Sequence, residues 1–253
     1  MAPAEEELVP AVLDSDLLHA DETSWPEHGQ PLWLWVFRAT VVTLYYVAGR
    51  GKELVENVLD GFTGWLMTDG WVAYRHYPRR LRCWAHLIRK ARGLAQSYDR
   101  EARVFGALVL STLDALMAGV YIAREGPPPG DRPTSHAPLL AALYAACTQR
   151  QGNPHHKTHA LAVELLNDWD AIFPVVRHPE LPLTNNEAER ALRHWVILRK
   201  LSLGTRTATG SRVFALLASV IDTCRQRGQS PWRYLERAIA DRRTGHPLAA
   251  LPR

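Results

Sequence analysis

Two aspartates that close short runs of strand-forming residues are the first sign of chemistry in this chain. Asp21 follows Leu17-Leu18-His19-Ala20, and Asp69 follows Trp65-Leu66-Met67-Thr68, so each is expected at the end of a strand. Carboxylates at the ends of neighbouring strands, joined by a third from a helix, can hold two divalent cations close enough to bridge a phosphate. Oxygen ligands of this kind suit Mg²⁺ or Mn²⁺. An Asp before a Gly, as in Asp69-Gly70, is also an ordinary turn residue, and the local sequence leaves both roles open.

The third acid comes from Thr184-Asn185-Asn186-Glu187-Ala188-Glu189-Arg190. Thr184 and Glu187 match a capping box, in which the Glu side chain turns back onto the N-cap amide. Glu189 lies about 200° further round the helix and so is free to face a metal site. Two other arrangements fit equally well: a box between Asn186 and Glu189, or an i,i+4 ion pair between Glu189 and Arg193.

Cys83-Trp84-Ala85-His86 offers zinc-ligand types at close spacing, but the histidines able to complete a site, His155, His156 and His159, lie about 70 residues away, and there is no Cys-x-x-Cys. The reading preferred is a buried strand end at Cys83 and Trp84, with His86 facing the active edge. Basic residues flank the acids. Arg79, Arg80, Arg82, Arg89, Lys90 and Arg92 follow the second, and Arg190, Arg193, Arg199, Lys200, Arg206 and Arg212 follow the third. Of these, Arg79, Arg80, Arg89, Lys90, Arg190, Arg193, Arg199 and Lys200 are the candidates for DNA-phosphate contact, against the alternative of solvated helix faces. Trp71, Tyr74, Trp84 and Trp195 have the shape to stack on a displaced base, although core packing suits most of them better.

These residues need a frame. Leu32 to Phe37 and Val41 to Val47 read as strands joined in a hairpin through Arg38-Ala39-Thr40, and Leu54, Val55, Val58 and Leu59 have helical spacing. Three early strands, a helix and a further strand describe a mixed α/β sheet. Helices are expected over 85–97, 100–124, 136–150 and 157–172, broken by Gly126-Pro127-Pro128-Pro129-Gly130. A further helix is expected near 211–227, and Ser230-Pro231 opens another.

The 253 residues carry 47% apolar residues and 3 Cys, enough for a large buried core and too few cysteines for a disulfide framework. The run Val41 to Ala48 is too short for a membrane span, the first twenty residues are acidic, and no targeting segment is expected. The net charge of +4 is unevenly spread: residues 1–70 carry −9, residues 71–103 carry +7 and residues 185–243 carry +7. Such asymmetry points to a polyanionic partner.

Taken in order, Asp21-Glu22-Thr23, Thr68-Asp69-Gly70, Cys83-Trp84-Ala85-His86 with Arg89-Lys90, Asn185-Asn186-Glu187-Ala188-Glu189-Arg190-Ala191-Leu192-Arg193, and Arg199-Lys200 resemble the catalytic half of transposases of the insertion sequence 66 family. The resemblance runs from about residue 17 to about residue 240. It implies an α/β, ribonuclease-H-like fold: a mixed-sheet core, a helical insertion between the second and third acids, and a helical C-terminal tail. The expected division is 1–99 for the first part of the core, 100–180 for the insertion and 181–253 for the helices completing the core. It also implies a site of two aspartates and a glutamate, mapping to Asp21, Asp69 and Glu189, that binds two Mg²⁺ or Mn²⁺ ions, with His86 and Asn186 as accessory residues. The implied function is metal-dependent cleavage and strand transfer on double-stranded DNA, at mobile-element ends and target, in the bacterial cytoplasm at the nucleoid; a homo-oligomer is left open. Two rivals are a nuclease of the same fold without strand transfer and an inactive DNA-binding remnant. The chain departs from the family pattern at Thr184, where members usually carry an acid, and in having no counterpart of their N-terminal helix-turn-helix and coiled-coil half.

Overall fold

The computed structural model describes residues 2–126, 136–247 and 250–252, with side chains from Glu6 onward. Of the proline-rich break expected at 126–130, only Gly126 is among them. The elements in chain order begin with α1 (Ala2–Leu13), β1 (Leu17–Ser24), β2 (Trp33–Arg38), β3 (Thr43–Ala48), α2 (Glu53–Val58) and β4 (Trp65–Thr68). A 3-10 turn (Val72–Tyr74), β5 (Arg80–Arg82), α3 (Trp84–Ala95), α4 (Arg100–Glu125), α5 (Ala137–Gln149) and α6 (His156–Asn167) follow. The chain ends with α7 (Trp169–Ile172), α8 (Pro174–Arg177), α9 (Asn186–Ser202), α10 (Ala208–Gln226) and α11 (Pro231–Arg243). This mixed α/β chain divides into two units, Met1–Arg79 with Asn185–Arg253, and Arg80–Thr184.

In the first unit the strands are ordered β3-β2-β1-β4, with β1 antiparallel to β2 and parallel to β4. The expected hairpin is present as β2 and β3. Strand β1 does not stop at Asp21 as expected; pairing with β2 carries it on to Ser24, opposite Trp33. Gly64 lets β4 reach β1, because a Cβ there would lie 2.5 Å from the Ser15 carbonyl, and the next residue, Trp65, donates its amide to the Asp16 carbonyl at 2.7 Å. Helix α1 has no counterpart among the elements expected from the sequence; it carries Pro10 in its interior, yet Leu8 and Val12, one turn apart, are fully buried.

Period-two alternation gives the sheet two apolar faces. Leu18, Ala20, Trp35, Phe37, Leu44 and Leu66 pack on one face with Leu8, Val12, Val55 and Tyr74. Leu34, Val36 and Tyr45 pack on the other with Ala188, Ala191, Leu192 and Trp195 of α9. Helix α10 runs along β3 and closes its open edge. Ser219 Oγ accepts the Tyr45 amide at 2.8 Å, and Thr223 Oγ1 accepts the Thr43 amide at 3.1 Å and donates to the Thr43 carbonyl at 3.2 Å. Backbone groups that would otherwise be orphaned are thereby satisfied. Ser230 caps α11 with Pro231 in its first turn, as expected.

The second unit is mostly helical. Asp99 caps α4 through the Ala102 amide, and His155 caps α6 through the Thr158 amide. By length and composition α4 is apolar enough to cross a membrane, but Phe105, Val109, Leu113 and Leu116 are buried within the protein, as in a core helix. The single helix expected over 157–172 is broken at Asp168, whose φ of −109° and ψ of 18° leave the α region. Its carboxylate is buried, 2.6 Å from Arg80 and 3.4 Å from Arg82, and this ion cluster fixes the break.

Candidate active site

The parallel register of β1 and β4 sets the first two acids side by side. Leu17 pairs with Trp65, Leu18 with Leu66 and His19 with Met67, so two residues further on Asp21 and Asp69 share a level and a face, on strands that run about 4.8 Å apart. The turn after β4 then holds Asp69 in place. Gly70 has φ of +98°, and the Trp71 amide donates to Asp69 Oδ1 at 2.8 Å. The turn role that the sequence leaves as an alternative is therefore real and does not displace the carboxylate from the sheet edge. Asp21 Oδ1 accepts the Glu22 amide at 2.8 Å.

Helix α9 brings the third acid. Its N-cap is Asn185, fully buried, whose side chain caps nothing and reaches the sheet instead: Nδ2 donates to the Ala20 carbonyl at 2.9 Å, and Oδ1 lies 3.1 Å from His19 Nδ1. These two bonds fasten the first turn of α9 beside Asp21. The Glu189 amide closes that turn on the Asn185 carbonyl at 3.2 Å. Neither expected capping box forms. Glu187 instead meets Arg38 at 3.3 Å and Arg190 at 3.1 Å, because it leaves the helix on the flank away from Glu189. Among the described residues no Lys or Arg forms an ion pair with Asp21, Asp69 or Glu189, so the Glu189–Arg193 pair left open by the sequence is also not made.

Crowding shows in the electrostatics. Burial first, and then the charge of Asp69, push the Asp21 carboxyl up to about 8, with smaller contributions from Glu22 and Glu189 against the lowering effect of the Glu22 amide bond. Glu22 is also raised, chiefly by burial, although bonds from Arg50 and Tyr74 oppose the shift. His19 is lowered by burial, which keeps it neutral against Asn185. These three acids, with which no Lys or Arg among the described residues forms an ion pair, offer oxygen donors of the type that suits Mg²⁺ or Mn²⁺.

The remaining candidates separate by burial. Arg190, Arg193 and Lys200 are exposed on α9, and Arg79 is exposed with one bond to the Thr63 carbonyl at 3.0 Å. Arg199 is turned inward, donating to Thr23 Oγ1 at 2.9 Å and Ser24 Oγ at 2.8 Å, and so pins α9 to the end of β1. In the second unit Arg89 and Lys90 are exposed, with Lys90 held by Glu164 at 2.6 Å. Arg80, expected to meet DNA, is buried against Asp168 and has a structural role in its place. His86 lies in the first turn of α3 and Cys83 is buried just before it; Asn186 is exposed, its buried neighbour Asn185 making the contacts. His155 and His159 are engaged locally, by Thr158 and the Gly152 amide, and among the described residues no group joins them to Cys83. Tyr74, Trp84 and Trp195 are core residues. Sequence reasoning gives no role to His19, Asn185, Glu22 and Arg50, although Glu22 and Asn185 stand within the motifs that carry the resemblance.

Residues 1–213 match the family described as Transposase IS66 family. The chain is 24% identical to the uncharacterized protein y4qI of Sinorhizobium fredii over 270 residues, covering 95% of this chain and 50% of that one. It is 27% identical to the uncharacterized protein y4jO of the same organism over 170 residues, covering 67% and 51%, and 27% identical to y4jD over 227 residues, covering 80% and 43%. The chain thus spans about half the length of the curated relatives it matches. No solved structure is significantly similar to it.

Proposed function

The chain belongs to the Transposase IS66 family, and from that premise we propose that its first unit is the catalytic part of a DNA transposase, with a ribonuclease-H-like core interrupted by the second unit and with Asp21, Asp69 and Glu189 as cation-binding acids. The observation that carries this reading is the convergence of three carboxylates from three separate elements, with a proton affinity at Asp21 that only close, unneutralised charge and burial produce. Two Mg²⁺ or Mn²⁺ ions, when bound, would activate the attacking oxygen and stabilise the leaving oxygen in an in-line phosphoryl transfer.

The chain's own residues have defined tasks in this reading. Asp21 gives up its proton to become a ligand, so cation binding and deprotonation are linked. Asp69 is held by its turn, and the Asn185 anchor fixes the first turn of the helix that carries Glu189. Arg190, Arg193, Lys200 and Arg79, with Arg89 and Lys90 of the second unit, are the exposed cations left to meet DNA phosphates. The setting is the family's, a soluble cytoplasmic protein acting on DNA.

The test uses labelled duplex DNA carrying element ends, with Mg²⁺ or Mn²⁺, and scores both nicking and joining of a 3′-hydroxyl end. Asp21→Asn, Asp69→Asn and Glu189→Gln are each expected to abolish both, whereas Glu187→Gln keeps them. Loss of cleavage in Glu187→Gln but not in Glu189→Gln would falsify the assignment of the third acid. Nicking without joining would instead make the protein a nuclease of the same fold, and binding unaffected by Asp69→Asn, with no cleavage by wild type, would leave only a DNA-binding role.

A further inference from the structure

Asp21 lies on one face of β1, level with Asp69 after β4, yet the most elaborate polar contacts nearby belong to Glu22, on the other face. The Glu22 side chain is 1% exposed, and a carboxylate so placed needs a partner. Arg50 donates to Glu22 Oε1 from Nε at 3.2 Å and from Nη2 at 2.9 Å, while the Tyr74 hydroxyl donates to Oε2 at 3.2 Å. The same guanidinium lies between two indole rings, 4.0 Å from the centroid of Trp33 and 3.8 Å from that of Trp71. Trp71 is the residue whose amide holds Asp69. One planar group therefore joins β1 through Glu22, β2 through Trp33 and the turn bearing Asp69 through Trp71.

Neutralising Glu22 would need only a positive charge, which a lysine supplies. Filling the space between two rings needs a flat cation with two faces, which the arginine guanidinium has and the lysine ammonium lacks. Arg50 itself stands between Gly49 and Gly51, outside any helix or strand, so these contacts hold the residue in place and no backbone ladder passes through it. We propose that Arg50 is a positioning residue for the Asp21–Asp69 pair: by clamping Trp71 against Glu22 it fixes the Asp69-Gly70-Trp71 turn relative to β1, and so presets the two carboxylates before a cation binds. This rests on the reading of Asp21 and Asp69 as cation ligands and deepens it.

The test measures Mn²⁺ binding to the full chain by calorimetry, alongside melting temperature and duplex affinity in chelator. Arg50→Lys keeps the charge and loses the flat stack; Trp71→Ala removes one ring, and Trp71→Phe keeps a ring of smaller area. Residues that orient metal ligands typically change affinity about 10–100-fold, so Arg50→Lys and Trp71→Ala are expected to weaken Mn²⁺ binding at least about tenfold. Trp71→Phe should recover most of that loss, while melting temperature and duplex affinity stay near wild type. Should Arg50→Lys fail to fold, the Trp71 pair carries the test alone. Unchanged Mn²⁺ affinity in the folded variants, or a loss that merely tracks a falling melting temperature, overturns the proposal. Failure of the underlying reading looks different, because Asp21→Asn would then bind Mn²⁺ as well as wild type with Arg50 intact.

Discussion

A carboxyl group pushed up to about 8 changes what Asp21 does as pH rises. In the unfolded chain the same group titrates near 4, so between about pH 4 and pH 8 the folded protein holds a proton that the unfolded chain has released. The folded pKa is the higher one; stability from this group is therefore greatest at the acid end, declines across the window and is gone above it. Asp21→Asn should accordingly be more stable than wild type at pH 8 in chelator, by roughly 1–3 kcal/mol once the partly open site is allowed for, with the difference fading toward pH 4. Thermal melts at the two pH values check this. The same substitution should abolish cleavage, so that stability and activity move in opposite directions, as expected where like charges are crowded for function. A variant equally destabilised at every pH would show that Asp21 is simply a structural residue.

At the scale of elements, the placing of Glu189 depends on how α9 is fastened to the sheet. Asn185 does this with two buried bonds, one to the Ala20 carbonyl and one to the His19 ring. Asn185→Ala would remove both. A loss of about 1–3 kcal/mol is expected, measured by urea unfolding, with a larger fractional fall in cleavage than in duplex binding because Glu189 is no longer held in place. The same logic explains why the sequence speaks clearly about some elements and not others. Strands β2, β3 and β4 and helices α3 to α5 carry their own periodic patterns, so each is readable locally. Helix α1 is hidden by Pro10 in its interior, and the break at Asp168 by an otherwise unbroken helical pattern; one forms by burying Leu8 and Val12, the other because distant Arg80 and Arg82 capture a carboxylate.

For the molecule as a whole, the overall charge of +4 conceals an acidic start and two basic stretches. If the exposed cations of α9 track phosphates, Arg190→Ala with Arg193→Ala should weaken binding to any duplex sequence and reduce the slope of log affinity against log salt by about 2, roughly 0.9 for each phosphate no longer neutralised. A titration between about 50 and 200 mM salt reads this out; an unchanged slope would assign these arginines to the solvated helix face. Arg80 and Arg199 belong to the same basic stretches by sequence, yet both are spent inside the fold. Charge counts along a chain say that cations are present, and only packing says which of them face solvent. The sequence by itself located three candidate acids, two at the ends of expected strands and one on an expected helix, because strand and helix periodicity and turn chemistry are local properties. The tertiary structure alone decided the register that sets Asp21 beside Asp69, the buried Asn185 anchor, the outward turn of Glu187 and the stacking of Arg50 between Trp33 and Trp71. Each of those joins residues far apart in the chain, and such contacts are fixed only when whole elements pack to bury their apolar faces.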